Sequence, residues 1–370
     1  MTMRVAPVLG LREIVVYAVD YAQTQLVPFT GRTTPPREAL TVDGTLAGRA
    51  FVLDEPNETL VDGTYRLWMP MTDCSHRIGV VEFSSARPFG DELRGTCAAI
   101  TTVLAELLVT RRLYGDAVEL VRRRLPMQVA TEIVWSLLPP LTFATEAAVV
   151  TGVLEPCYEV GGDAFDYAVN GSTMHVALFD AVGHGIGAST LTTVAVNAYR
   201  NARRCGLDLV DSCRSVDKWI RAQFPDLFVT GVLAELDVER GGWRAICAGH
   251  PGGLLLRGGK MIRDLPGPTA LPLGLMHLED SRPEVAEEAL QPGDSILLYT
   301  DGVIEARDEN GEFFGRQRLV DFVVRTFADR MPPAETMRRL IRAILDHQHE
   351  QLQDDATAVL VRWLPGRLTG

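Results

Sequence analysis

The chain has 370 residues, 46% of them hydrophobic and 23% charged, and a formal net charge of −12. That length fits two or three domains with real cores, and the composition excludes a disordered, collagen-like or coiled-coil chain. Acids outnumber bases 48 to 36, and lysine occurs only at Lys218 and Lys260, which argues against a nucleic-acid-binding surface built on clustered positive charge.

Residues Met1 to Gly10 show no basic stretch leading into an apolar one, so no signal peptide is expected. Ile14–Tyr17, Leu26–Phe29, Tyr65–Met69 and Ile78–Phe83 read as strands, separated by turn clusters such as Asp43-Gly44 and Asp62-Gly63. A helix from about Asp91 to Arg112 follows, so residues 1–112 read as a small α+β domain. Its apolar window, Cys97 to Val109, is too short to span a bilayer and contains Glu106. Residues 113–140 read as a helical linker broken at Pro126 and stopped at Pro139-Pro140. Val129, Ile133 and Leu137 recur there at four-residue spacing. Such a stripe packs on the chain's own domains or forms a homodimer seam, and both readings stay open.

Residues 141–365 form the largest region. Ala147–Leu154, Ala164–Val169, Thr173–Phe179, Phe228–Val238, Trp243–Ala248, Leu254–Leu256, Ser295–Tyr299 and Ala356–Trp363 read as strands. Gly187–Arg203 and Pro333–His347 read as helices. The whole chain is therefore α+β. The six cysteines, Cys74, Cys97, Cys157, Cys205, Cys213 and Cys247, form no C-x-x-C pair. They indicate a reducing, cytoplasmic setting and no zinc site.

Asn170-Gly171 between two apolar runs predicts a tight hairpin. With those two residues as the turn, pairing positions sum to 341. Asp163 then faces Leu178, with Asp180 its diagonal neighbour on the same face, and Asp166 pairs with His175 on the opposite face. Asp301 ends an apolar strand, and Asp354 and Asp355 precede another. Carboxylates gathered at strand ends repel one another unless cations neutralise them, and such oxygen donors suit Mg²⁺ or Mn²⁺. Taken singly, each of these aspartates reads as a turn or a solvated loop; the ordered combination points to a site. The loop Gly183-His184-Gly185-Ile186-Gly187 opens a helix but has G-x-G-x-G spacing and follows a hairpin, so a nucleotide loop is a weak reading. His250 reads as a turn residue near the site, His347 and His349 as a solvated helix end. Cys157 has no base to activate it, and Ser189 and Ser295 lack a nucleophile-elbow pattern.

Glu159-Val160-Gly161-Gly162-Asp163-Ala164-Phe165-Asp166, Phe179-Asp180-Ala181-Val182-Gly183-His184-Gly185, Ala248-Gly249-His250-Pro251, Leu298-Tyr299-Thr300-Asp301-Gly302 and Asp354-Asp355-Ala356-Thr357 occur in this order. Together they resemble the PPM-type (PP2C-like) serine/threonine phosphatases of the bacterial SpoIIE/RsbU branch, over roughly Leu137 to Trp363. Residues 1–112 are similar to a GAF sensor domain, chiefly through Ala47-Gly48-Arg49-Ala50-Phe51. The resemblance implies an αββα sandwich holding two Mn²⁺ or Mg²⁺ ions. Asp180 would be shared by both metals, with Asp163 and the Ala181 carbonyl serving one and Asp301 and Asp354 the other. Asp354 is preferred because it lies three residues before Thr357; Asp355 is the alternative. A metal-activated water would attack phosphoserine or phosphothreonine, with His184 as a proton donor. The implied substrate is a phosphorylated anti-sigma-factor antagonist in a partner-switching system, with a small-molecule or protein ligand at the GAF-like domain.

Two features depart from the pattern. Glu155 to Tyr158 contains no arginine where animal-type relatives hold phosphate, so the group that holds the substrate phosphate stays open. Ala164 and Ala181 replace residues that are often larger in this branch. The rival expectations are a catalytically weak phosphoprotein-binding module and a nucleotide-binding enzyme.

Overall fold

A computed structural model describes residues 2–29, 37–155, 158–159, 161–279, 282–328, 331–349 and 354–364. Cys157 and Val160 lie outside the described residues. The chain divides into two units, Met1–Pro126 and Met127–Gly370.

The first unit runs α1 (Thr2–Val8), β1 (Glu13–Val19), β2 (Gln25–Pro28), β3 (Leu40–Thr41), α2 (Leu46–Leu53), β4 (Asn57–Val61), β5 (Thr64–Asp73), β6 (His76–Ser85), α3 (Asp91–Arg111) and α4 (Ala117–Arg122). The strands form one antiparallel sheet in the order β3-β2-β1-β6-β5-β4. Cys97, Leu104 and Ala105 of α3 join Ile14, Val16, Leu67 and Phe83 in one apolar cluster. Alternation along β6 turns Glu82 to the other face, where its buried carboxylate accepts from the Tyr17 hydroxyl at 3.1 Å and from Arg37 at 3.2 Å. The Ala47–Phe51 stretch forms most of α2, capped by Thr45, whose hydroxyl accepts from the Gly48 N–H at 3.0 Å. Counted over α3 and the turn after it, Asp91–Tyr114 is long and apolar enough to cross a membrane by length and composition. In the fold, the buried side of α3 covers the sheet.

The linker is not one helix. Arg122 of α4 lies over the Tyr21 ring at 4.2 Å and donates to the Val19 carbonyl at 3.3 Å, which fastens α4 to the first unit. The second unit opens with α5 (Val129–Leu137). Its buried residues are Ala130, Thr131 and Val134, whereas Val129 of the expected stripe is 62% exposed. Small side chains on the buried side let α5 approach its neighbouring helix closely.

From there the order is β7 (Thr142–Ala144), β8 (Ala148–Glu155), β9 (Asp163–Asn170), β10 (Thr173–Ala181), α6 (Gly185–Arg204), α7 (Leu209–Gln223), β11 (Val229–Asp237), β12 (Gly242–Ala248), β13 (Leu254–Arg257), β14 (Lys260–Asp264), β15 (Ala286–Ala289), β16 (Ser295–Tyr299), α8 (Asp301–Ile304), α9 (Gly315–Ala328), α10 (Pro333–His347) and β17 (Ala356–Trp363). Two sheets result, β15-β12-β11-β10-β9 and β14-β13-β16-β17-β8-β7. Phe165, Met174, Leu178, Trp243, Ile296 and Val359 fill the space between them. Phe179, Leu191, Tyr199 and Ile220 bury α6 and α7 on the outer face of the first sheet. Leu297, Leu360, Leu319 and Leu340 bury α9 and α10 on the outer face of the second. The layers therefore run α, β, β, α.

The hairpin exists, but its register differs from the expected one. Thr173 pairs with Asn170, and Asp180 pairs with Asp163, so pairing positions sum to 343. The turn residues are Gly171 and Ser172, not Asn170 and Gly171. Gly171 takes φ +59° at the first turn position while Ser172 does not adopt positive φ, the pattern of a turn that needs glycine first. The two-residue shift keeps every side chain on its expected face but sets Asp163 directly opposite Asp180, and Asp166 opposite Ala177 instead of His175.

Candidate functional site

The start of β9, the end of β10, the end of β16 and the start of β17 meet at one end of the sandwich. A cleft of ≈250 Å³ opens there, lined by Asp163, Asp180, Ala181, Asp301, Asp354 and Asp355, with Gly162, Val182, Gly183, Phe228 and Thr230. Six of the seven residues singled out in the sequence thus converge. His184 does not line the cleft; it is exposed and precedes the first turn of α6.

The two neighbouring aspartates just before β17 have different surroundings. Asp355 is buried, and its carboxylate accepts from the Gly161 N–H at 2.8 Å, the Gly162 N–H at 2.7 Å and the Asp163 N–H at 3.1 Å. It clamps the turn that enters β9. Asp354 is more open to solvent and accepts the N–H of Asp355 at 2.8 Å. Gly302 lets this assembly close: a Cβ there would lie 1.9 Å from the Asp355 carbonyl oxygen.

Three threonines support the acids. The Thr300 hydroxyl donates to Asp163 Oδ2 at 2.8 Å and accepts from the Thr357 N–H at 3.0 Å. The Thr230 hydroxyl lies 3.3 Å from Asp180 Oδ2. The Thr192 hydroxyl of α6 donates to the Gly162 carbonyl. Sequence reasoning missed all three. Thr300 and Thr357 sit inside quoted motifs, but the bond to Asp163 spans 137 residues, and no local pattern encodes it.

Electrostatics follow from crowding like charges in a half-dry cleft. Burial, then Asp180 and Asp355, push the Asp163 carboxyl well above its ordinary range. Burial, then Asp301 and Asp354, push Asp180 up to about 6. Burial also raises Asp354, and it raises Asp355 against the opposing pull of three backbone N–H groups. Among the described residues no arginine or lysine lines the cleft to offset this. Nearby, His250 is 3% exposed, with Nδ1 2.9 Å from the Pro251 carbonyl and Nε2 without a hydrogen-bond partner among the described residues. Burial lowers its pKa.

The donor set fits hard divalent cations: carboxylates and a backbone carbonyl, with no thiolate or imidazole in the lining among the described residues. Among the described residues no three acidic, histidine or cysteine side chains are close enough together to hold one ion between them. An open, carboxylate-rimmed cleft suits ions that keep several waters, as Mg²⁺ does.

A four-layer sandwich with an acidic cleft at its strand ends is the architecture of PP2C-like serine/threonine phosphatases. The profile of the Stage II sporulation protein E (SpoIIE) family matches residues 170–364, and the chain belongs to that family. Phosphoserine phosphatase RsbU of Bacillus subtilis (strain 168) is 24% identical over 241 residues, covering 64% of this chain and 69% of RsbU. The PP2C domain of SiaA from Pseudomonas aeruginosa superposes with a TM-score of 0.52 at 23% identity, over 63% of this chain and 94% of that domain. The RsbU and RsbW domains of a Mycobacterium tuberculosis protein superpose with a TM-score of 0.51 at 24% identity, over 60% of this chain and 62% of theirs.

Proposed function

We propose that this chain hydrolyses phosphoserine or phosphothreonine in a protein, with two divalent cations, Mn²⁺ or Mg²⁺, held by the acidic cleft. The observation that carries the reading is the convergence of five aspartates, from four strand ends, on a cleft lined by no cationic side chain among the described residues. Asp180 would be shared between the two ions, Asp163 and the Ala181 carbonyl would serve one, and Asp301 and Asp354 the other. When bound, such a pair supplies a water of lowered pKa and screens charge on the phosphoryl oxygens.

The chain's own contribution is placement. Asp355 spends its lone pairs on three backbone N–H groups, so it positions the turn before Asp163 and is not assigned to an ion. Thr300 fixes one oxygen of Asp163 and leaves the other for the cleft. No protein nucleophile is needed. His184, outside the lining, is given no part in proton transfer.

The substrate we favour is a phosphorylated anti-sigma-factor antagonist in a partner-switching system. RsbU's description as a phosphoserine phosphatase supports this, as does the presence of RsbU and RsbW domains in one mycobacterial protein. We assign residues 1–112 to a GAF-like sensor, 113–140 to a linker able to pair in a homodimer, and 141–365 to the phosphatase domain. The cysteines described, Cys74, Cys97, Cys205, Cys213 and Cys247, are all free, which suits the cytoplasm.

The test is hydrolysis of an aryl phosphate with Mn²⁺, Mg²⁺ or chelator, by wild type and Asp180→Asn. Metal-dependent turnover that falls about a hundredfold or more in the variant is expected, since metal assistance is worth several kcal/mol. Absence of turnover in the full chain and in residues 127–370, with retained binding of a phosphoprotein, would make it a binding module.

A further inference from the structure

The aspartate cleft has a counterpart of opposite charge within the first unit. In the hairpin from β5 to β6, Asp73 pairs with His76, so Cys74 and Ser75 are the two turn residues. Both hold left-handed backbone, at φ +45° and +74°, which residues other than glycine adopt only at a cost. The strained turn sets His76 and Arg77 at the start of β6. Arg77 is 8% exposed, lies over the Phe51 ring at 4.5 Å and donates to Gln23 Oε1 at 3.0 Å. Two residues before Gln23, the Tyr21 N–H donates to the Arg122 carbonyl at 3.3 Å, and the Arg122 guanidinium covers the Tyr21 ring. The connection from β1 to β2 is thus flanked by two arginines. Arg112, exposed at the start of the turn after α3, supplies a third charge. All three reach His76: burial, then Arg122, Arg112 and Arg77, push its imidazole down to about 3. The acids at this end are engaged elsewhere or reach one arginine only. Glu119 accepts from the Tyr21 hydroxyl, Asp20 accepts from the Thr24 and Gln25 N–H groups, and Asp54 acts on Arg77. Arg112 and Arg122 form no ion pair among the described residues.

We propose that His76, Arg77, Arg112 and Arg122 bind a phosphate group, carried by a soluble compound or by a lipid. Like charges gathered from three elements repel one another, and an anion among them removes that cost. Guanidinium groups arriving from β6, from the turn after α3 and from α4 can share the several oxygens of a tetrahedral dianion, whereas a planar carboxylate is satisfied by a single one. A neutral imidazole adds one N–H donor. Bound phosphate would tie the turn after α3 to α4 and both to the β5–β6 hairpin. This gives a ligand class to the unit assigned above to a sensor. It stands on that unit's own residues and not on the phosphatase reading.

The experiment titrates the full chain in excess chelator, so that no divalent cation in the aspartate cleft can hold the probe. Inorganic phosphate, malonate and vesicles of phosphatidylglycerol in phosphatidylcholine are compared at physiological salt, with pure phosphatidylcholine vesicles as the blank. Saturable binding of phosphate by calorimetry is expected, with a saturable shift of the His76 imidazole resonance, assigned through His76→Gln. Arg112→Gln should bind about tenfold more weakly, as loss of a charge-assisted hydrogen bond implies, while its thermal unfolding stays as in wild type. Binding of phosphatidylglycerol vesicles without binding of inorganic phosphate assigns the group to a lipid, for which Leu113 and Tyr114, 77% and 81% exposed beside Arg112, offer apolar contact. Malonate bound as tightly as phosphate, affinity unchanged in Arg112→Gln, a His76 resonance that does not move, or binding of neither phosphate probe overturns the proposal. The phosphatase reading fails or stands separately, by aryl phosphate turnover with Mn²⁺.

Discussion

Asp163 and Asp166 stand three residues apart on β9, and both are buried. The chain treats them in opposite ways. Asp166, on the α6 side, receives Arg200 at 2.7 Å and Arg203 at 2.9 Å. Arg200 also donates to the Leu137 carbonyl at 2.6 Å, which ties the end of α5 into the same pair. Asp163, on the side between the sheets, meets a threonine hydroxyl and two more carboxylates. One buried charge is neutralised by the protein; the other is left for a proton or an external cation. Burial alone therefore does not mark a functional acid. What distinguishes these two is that Asp166 has cationic partners and Asp163 is set among carboxylates.

The largest expected effect comes from exchanging these two acids separately. Asp166→Asn should cost about 3–5 kcal/mol, read by urea unfolding, because it leaves two arginines without their buried counter-charge. Asp163→Asn should leave metal-free stability unchanged or higher, since it relieves repulsion, while aryl phosphate turnover falls about a hundredfold or more. If Asp163→Asn unfolded the protein and Asp166→Asn did not, the contrast would be broken.

Next is Gly302→Ala. Its Cβ would meet the Asp355 carbonyl oxygen at 1.9 Å, and overpacking against backbone should cost about 2 kcal/mol or more in the same unfolding assay. Thr300→Val should be milder, lowering turnover about tenfold through loss of a bond to a charged group, with Thr300→Ser restoring most of it.

The smallest effect is the pH response of thermal stability. Asp180 titrates near 6 in the fold, above its range in an unfolded chain, so the native state holds a proton that the unfolded state has released. Its contribution to metal-free stability is then fully present below about pH 4 and is lost as pH rises through about 6. The difference in melting temperature between wild type and Asp180→Asn should shift against wild type between pH 5 and 7.5. Mn²⁺ should raise the wild-type melting temperature more at pH 7.5 than at pH 5.5, because binding must displace that proton.

Strands and helices with strong periodicity were legible in the residues. Ala356–Trp363 and Pro333–His347 were read to the residue. The misses have physical causes. In α7 the stripe Leu209, Cys213, Val216 and Ile220 has at its edge a charged residue, Asp217, which is buried and serves the Gly274 and Met276 N–H groups instead of solvent. The helices α2 and α9 and the short strands β3, β4, β14 and β15 passed unnoticed because tertiary contacts, not long runs, define them. For the hairpin, Asn-Gly signalled that a turn exists but not which two residues occupy it, since Gly171 can serve at either central position. In the cleft, the acids were legible as motifs. Their supports were not, because Thr300, Thr357 and the Asp355 clamp act across 57 to 194 residues.

The place of β17 has a consequence for biosynthesis. It sits between β16 and β8, pairing Ala356 with Glu155 and Trp363 with Ala148. The second sheet therefore stays split into two pieces until residues some 200 positions after β8 have left the ribosome. Asp354 and Asp355 arrive with that strand. A nascent chain can complete β9, β10 and their helices early, yet it has no finished cleft until the sheet is sealed. On the phosphatase reading, cation binding and dephosphorylation would wait for that strand.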